Sequence, residues 1–186
     1  MRIMQQLTAA AFVLCAVAAV LAQDLPAKAG RHVKETAHLT VTTSASQDAV
    51  APGTRLSLMV DVAPKPKMHV YAPGQEGYIA ITLTLDPDPA FTAGKATYPA
   101  GEKILIKILN ETQLVYAKPF RIAQDVTLRR GSGQALASTP EMRRRATDGA
   151  SLTIKGALRY QACDDKICYL PVNMPLAWTL KLAAIQ

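Results

Sequence analysis

From Leu39 onward, apolar and polar residues alternate at a period of two, as in strands with one buried face. Leu39 and Val41 alternate with threonines, and Leu56, Leu58, Val60 and Val62 alternate with Ser57, Met59 and Asp61. Ala51-Pro52-Gly53 is the predicted turn between these two strands. Pro64 and Pro66 break the second strand, because proline offers the ladder no N–H. The chain resumes at Met68-His69-Val70-Tyr71 and turns again at Pro73-Gly74. Ile79, Ile81, Leu83 and Leu85 form the next strand, ended by Asp86-Pro87-Asp88-Pro89. Phe91–Tyr98, Ile104–Ile108 and Leu114–Ile122 are shorter strand candidates. Leu152, Ile154, Leu158 and Tyr160 make a later strand, and Leu176, Trp178, Leu180 and Leu182 the last. Short strands with turn signals about every ten residues predict an all-β antiparallel sandwich or barrel. Outside the amino end no amphipathic helix is evident, which disfavours a parallel α/β fold, a thioredoxin fold included.

The amino end reads differently. Arg2, the apolar run Leu7–Leu21 and the small residue Ala22 have the form of a secretory signal peptide over residues 1–22, cleaved near Ala22/Gln23. The run is shorter than the roughly 20 apolar residues a spanning helix needs, so no stable membrane span is expected after cleavage. Residues 23–35 are polar, with Pro26 and Gly30, and are predicted to be a flexible lead-in. His32 and His38, in or beside it, are expected to be solvated. One domain over residues 36–186 remains, and with hydrophobic residues at 49% of the chain it can build a core.

The formal net charge of +7 owes much to a glycine-, serine- and arginine-rich stretch at 129–150, read as a long basic loop. The Arg143-Arg144-Arg145 run would suit an acidic partner or an anionic surface; a solvated loop is the plainer reading. Nucleic-acid binding has no motif here and conflicts with export.

Cys15 lies inside the leader, so two cysteines survive into the mature chain, in the run Tyr160-Gln161-Ala162-Cys163-Asp164-Asp165-Lys166-Ile167-Cys168-Tyr169-Leu170-Pro171. Five extended residue steps span about 16 Å, whereas a disulfide needs Cα atoms roughly 4.4–6.8 Å apart. Bonding therefore requires a turn at Asp164-Asp165-Lys166, whose polar residues suit one. A loop this short stabilises by only about 2 kcal/mol in the chain-entropy model, which favours redox work over bracing. A small structural staple and half of a metal site remain open at this point. Copper is the metal to weigh, since His69, Met68, Met174 and both cysteines are soft or borderline ligands. A blue-copper site needs two histidines, and no histidine follows Cys168. Zinc would lack a fourth ligand without a carboxylate. Hydrolysis has no support, because there is no nucleophile elbow and no histidine near the cysteines in sequence.

The run Tyr-Gln-Ala-Cys through Cys-Tyr-Leu-Pro resembles the active-site segment of the N-terminal periplasmic domain of the thiol:disulfide interchange protein DsbD. Weaker similarity covers the Leu56–Val62 strand, Met68-His69-Val70-Tyr71, the strand at Tyr116 and the last strand through Trp178. The resemblance implies an immunoglobulin-like sandwich, a redox-active Cys163–Cys168 disulfide, no cofactor and no metal. Cys168 is then the thiol that forms the mixed disulfide with a partner, and Cys163 resolves it. The flanks agree: Tyr169-Leu170-Pro171 offers an exposed apolar edge, whereas Cys163 follows a core strand where burial disfavours a thiolate. His69, Tyr71, Tyr160, Tyr169 and Pro171 are expected to line the site or meet the partner. The family's aromatic cap corresponds to the region near Ile108-Leu109-Asn110, which has no aromatic residue here. Implied partners are thioredoxin-like periplasmic proteins, with a separate membrane electron donor in place of the membrane-embedded and thioredoxin-like domains that follow in the full-length family protein.

Overall fold

The computed structural model describes residues 31–106, 110–129 and 151–183. The expected leader, the lead-in up to residue 30, Ile108-Leu109 and nearly all of the arginine-rich loop lie outside the described residues. Every regular element among the described residues is a strand, and no helix there is long and apolar enough to cross a membrane. The architecture is an immunoglobulin-like β-sandwich, and among the described residues its strands pair antiparallel except for one short parallel ladder and an isolated parallel bridge between Tyr71 and Ala80.

One sheet holds β1 (His32–Glu35), β2 (Leu39–Ala45), β4 (Arg55–Pro64), β10 (Phe120–Leu128) and β7 (Phe91–Thr97), in that spatial order. Against it lies a second sheet of β3 (Ala49–Val50), β13 (Val172–Leu182), β11 (Ser151–Tyr160) and β6 (Thr82–Leu85). The period-two residues do what their spacing predicts: Leu56, Leu58, Val60 and Val62 point inward from the first sheet, and Ile154, Leu158, Leu176 and Trp178 from the second. Trp178, fully buried, donates its indole N–H to the Met59 carbonyl at 3.2 Å, so the sheets are tied by a polar contact as well as by apolar area. Truncating an aromatic of this kind costs roughly 3–5 kcal/mol. At Gly156 the backbone of β6 comes so close that a Cβ would sit 2.5 Å from the Thr84 carbonyl oxygen.

The third sheet positions the site. It contains β12 (Ala162–Cys163), β5 (His69–Tyr71), β9 (Glu111–Tyr116) and β8 (Glu102–Ile106). The Pro64-Lys65-Pro66-Lys67 break does more than interrupt a strand, because β5 leaves the sheet of β4 for this smaller one. Lys67 takes a left-handed φ of 68° at that corner.

Several expectations need correcting. Residues 32–35 of the lead-in form an edge strand, paired from His32↔Thr43 to Glu35↔Thr40. All four are exposed, so no alternation marks them; Thr36 makes the turn, its hydroxyl accepting from the N–H groups of His38 and Leu39. The single strand expected over Leu114–Ile122 is two, β9 and β10, in different sheets. Pro119 lies between them and has no N–H to continue a ladder. The strand expected from Ile79 begins at Thr82.

Candidate functional site

The chain reaches the site from β11, continues through β12, turns at Asp164–Ile167 and returns at Cys168. Cys163 and Cys168 are joined by a disulfide, with Cα atoms 4.0 Å apart. Asp164 makes the turn. Its Oδ1 accepts from the N–H of Lys166 at 2.7 Å and of Ile167 at 2.8 Å, and its Oδ2 accepts from the Tyr169 hydroxyl at 3.1 Å. The Ile167 N–H, followed by that of Lys166, holds the Asp164 carboxyl below its ordinary value, since each bond favours the charged form. The Tyr169 N–H to the Ala162 carbonyl (2.9 Å) and the Gln161 amide to the Tyr169 carbonyl (3.1 Å) close the return.

The floor comes from β5. Cys163 pairs directly with His69 and Ala162 with Val70. Tyr71 reaches beneath the disulfide: its hydroxyl lies 3.2 Å from Cys163 Sγ and 3.3 Å from Cys168 Sγ. Disulfide sulfurs carry no hydrogen, so the hydroxyl is the donor. Burial, with Tyr78 and Glu111 nearby, pushes the Tyr71 phenol up to about 12. Behind it Tyr78 stacks on the Tyr71 ring, centroids 4.3 Å apart. The Tyr78 hydroxyl donates to Glu111 at 2.9 Å, and the buried Gln113 amide donates to both Tyr78 and Glu111. His69 stands edge-on to Tyr71, is buried, and has an Nε2 without a hydrogen-bond partner. Burial lowers its pKa, while Asp165 and Asp164 act to raise it.

The two sulfurs differ in access. Cys163 is 1% exposed, whereas Cys168 lies at the surface. Ile167 at 56% and Leu170 at 86% flank it as exposed apolar side chains.

A paired, turn-held dithiol over a tyrosine hydroxyl is suited to thiol–disulfide exchange. The family model for the N-terminal domain of the thiol:disulfide interchange protein DsbD matches residues 36–175. The chain belongs to that family. DsbD N-terminal domains are periplasmic thiol–disulfide exchange domains, and the Cys163–Cys168 disulfide agrees with membership of that family. No curated protein matches the sequence significantly. Among solved structures, the N-terminal periplasmic domain of ScsB from Proteus mirabilis is similar at 13% identity and a TM-score of 0.47, with 81% of this chain and 49% of that one covered. This chain thus spans about half the length of that relative. The yeast GGA1 GAE domain is similar at 11% identity and a TM-score of 0.35, with 82% of this chain and 99% of that one covered.

Of the residues singled out in sequence, this DsbD-type site brings together Cys163, Cys168, His69 and Tyr71. Tyr169 flanks Cys168 and braces the turn. Pro171 is exposed just before β13. Tyr160 does not line the site: it is buried in the main core, with its hydroxyl 3.3 Å from that of Thr36. His38, expected to be solvated, packs its ring against Tyr169 at 4.2 Å. Of the copper candidates, His69 lies by the two cysteines, which are joined to each other, while Met174 is buried in the core. Among the described residues no three His, Cys, Asp or Glu side chains gather as a metal site. Sequence reasoning missed Tyr78, in the loop after β5, and Glu111 and Gln113, which come from β9, since no local pattern marks them. Asp164 at the head of a short turn was the one available signal.

Proposed function

We propose that this domain passes reducing equivalents through Cys163 and Cys168 to or from thioredoxin-like partners in the periplasm. Cys168 forms the mixed disulfide and Cys163 resolves it. The observation that carries this assignment is the contrast in access, a buried Cys163 sulfur beside a surface Cys168. An incoming disulfide must be attacked in line by a reachable thiolate, and only Cys168 meets that condition. The apolar Ile167 and Leu170 beside it supply contact area for a docking protein. In disulfide correction or cytochrome c maturation the same pair would serve, since both need a dithiol held ready in an oxidising compartment.

The test uses a Cys15→Ser background, so that only the site thiols react. Redox titration should give one two-electron transition. In a periplasmic extract Cys163→Ala should accumulate mixed disulfides with thioredoxin-like proteins, and Cys168→Ala should give little complex. Peptide mapping that finds the stable adduct on Cys163 instead would reverse the roles. For the exported location, mass analysis of the secreted protein should find an amino terminus near Gln23; an intact Met1 in the membrane fraction would overturn it.

A further inference from the structure

In the redox reading, on which this inference rests, the resolving step needs a proton acceptor. While Cys168 is tied to a partner, Cys163 must lose its proton before its sulfur can attack, and at 1% exposure that sulfur is shut away from bulk water. Tyr71 is the wrong kind of group, being a protonated phenol that donates to the sulfurs. The Asp164 carboxylate is engaged by two backbone N–H groups and by Tyr169. His69 remains. It lies opposite Cys163 in the β5–β12 pair, a placement that puts both side chains on one face with Cβ atoms about 4.5–5.5 Å apart. His69 is 4% exposed, and its Nε2 has no partner. Buried polar nitrogens are nearly always satisfied, so an orphan on the residue directly opposite Cys163 points to a bond made only in the other redox state.

We propose that His69 Nε2 is the proton acceptor of the resolving step, accepting a hydrogen bond from the Cys163 thiol and taking its proton as the sulfur attacks Cys168. A Cys163–Cys168 bond forms, the bond from Cys168 to the partner breaks, and its electron pair leaves on the partner's sulfur. The proton held by the imidazole then passes to that thiolate or to solvent. Over the cycle this dithiol is oxidised by two electrons and the partner disulfide is reduced by two. When a donor dithiol reduces the domain, the steps reverse and the imidazolium returns the proton to the Cys163 thiolate. Asp164, Asp165 and Lys166 from the turn and both cysteines line one cavity with His69, and Tyr71 from its own strand meets the ring edge-on. Burial outweighs the two carboxylates and keeps the imidazole below its ordinary 6.5, in its neutral, accepting form at pH 7.

The experiment mixes the reduced Cys15→Ser protein with dithiobis(nitrobenzoate) in a stopped-flow instrument. Attack by Cys168 releases the first nitrothiobenzoate and resolution by Cys163 the second. In this parent protein the second phase should be flat with pH between about 7 and 8 and fall only as His69 protonates. With His69→Gln, and separately His69→Leu, the second phase should slow about a hundredfold at pH 7 and climb about tenfold per pH unit, the first staying within about twofold. Equal slowing of both phases or an unchanged second phase would overturn the assignment. So would a parent second phase that itself climbs about tenfold per unit, an outcome that requires no variant to fold. Failure of the redox reading looks different, because the parent protein would then keep two nitrobenzoate adducts and show no resolving phase.

Discussion

The Tyr71 hydroxyl touches both sulfurs, and what it does there depends on their charge. A donor facing a neutral disulfide makes a weak contact, while the same donor facing a thiolate makes a charge-assisted bond roughly twice as strong. Tyr71 therefore favours the reduced, ionised state over the oxidised one. With its phenol pushed up to about 12 by burial, it stays a donor throughout the physiological range. Tyr71→Phe deletes the donor while keeping the ring stacked on Tyr78 and edge-on to His69. Bonds to charged groups are worth roughly 1.5–3 kcal/mol, so alkylation of reduced Cys168 by iodoacetamide at pH 7 should slow by about tenfold or more. An unchanged rate across the pH range would show that the hydroxyl does not stabilise the thiolate. Linkage gives a second check. An acid whose folded pKa is raised lends stability that is present below its unfolded value near 10.0 and lost as pH rises toward 12. The wild-type Tm should fall more steeply above pH 10 than that of Tyr71→Phe, and parallel curves would contradict the assignment.

Among the elements, the cysteine turn depends most on one residue. Asp164 accepts from the Lys166 and Ile167 N–H groups, and its carboxyl is depressed below 3.8, chiefly by the Ile167 bond. Its contribution is thus present above the unfolded value and lost as pH falls through the lower folded one. Hydrogen exchange at Lys166 and Ile167 should be faster in Asp164→Ala than in wild type at pH 5, and the difference should shrink below pH 3.8. Equal exchange at pH 5 would mean the turn is held by Cys168 and Tyr169 alone. This turn was foreseeable, as were β4, β11 and β13, because each of those strands buries a single face and so alternates. Others left no such trace. β1 is exposed along its whole length, and β3 and β12 have two residues each, too few to show a period. Apolar residues continue on both sides of Pro119, which concealed the change of sheet between β9 and β10. The cysteines were legible because they carry chemistry, and His69 and Tyr71 because their strand resembles one that lines the family's site. Tyr160 misled because it is near the pair in the chain, whereas strand alternation turns it into the core. Of the groups behind Tyr71, Tyr78 lies in the loop after β5 and Glu111 and Gln113 on the β8–β9 hairpin, and no local signal identifies them.

At the scale of the molecule, the disulfide lies outside the main core it adjoins. Cys163 packs with Tyr71 and Val115 in a small separate cluster, while Leu58, Val60, Leu158, Trp178 and Leu180 fill the space between the two large sheets. Within the two sheets, ladders join β4 to β10 and β6 to β11 across long stretches of chain, and β2 to β4 and β11 to β13 across shorter ones. Closing a loop of five residue steps adds about 2 kcal/mol by constraining the unfolded chain. That is small beside the burial of a two-sheet core, so opening the bond should leave the fold in place, as a pair that cycles between dithiol and disulfide requires. The Cys163→Ala/Cys168→Ala protein should keep the near-ultraviolet signature of the buried Trp178. Its Tm should fall by roughly 4–8 °C, the shift about 2 kcal/mol produces in a domain of this size. Wild type treated with dithiothreitol should behave the same way. Loss of the tryptophan signal at 25 °C in both samples would instead make the bond a structural staple, and the proposed exchange function would fall with it, since a domain that unfolds when reduced cannot hold its dithiol ready for a partner.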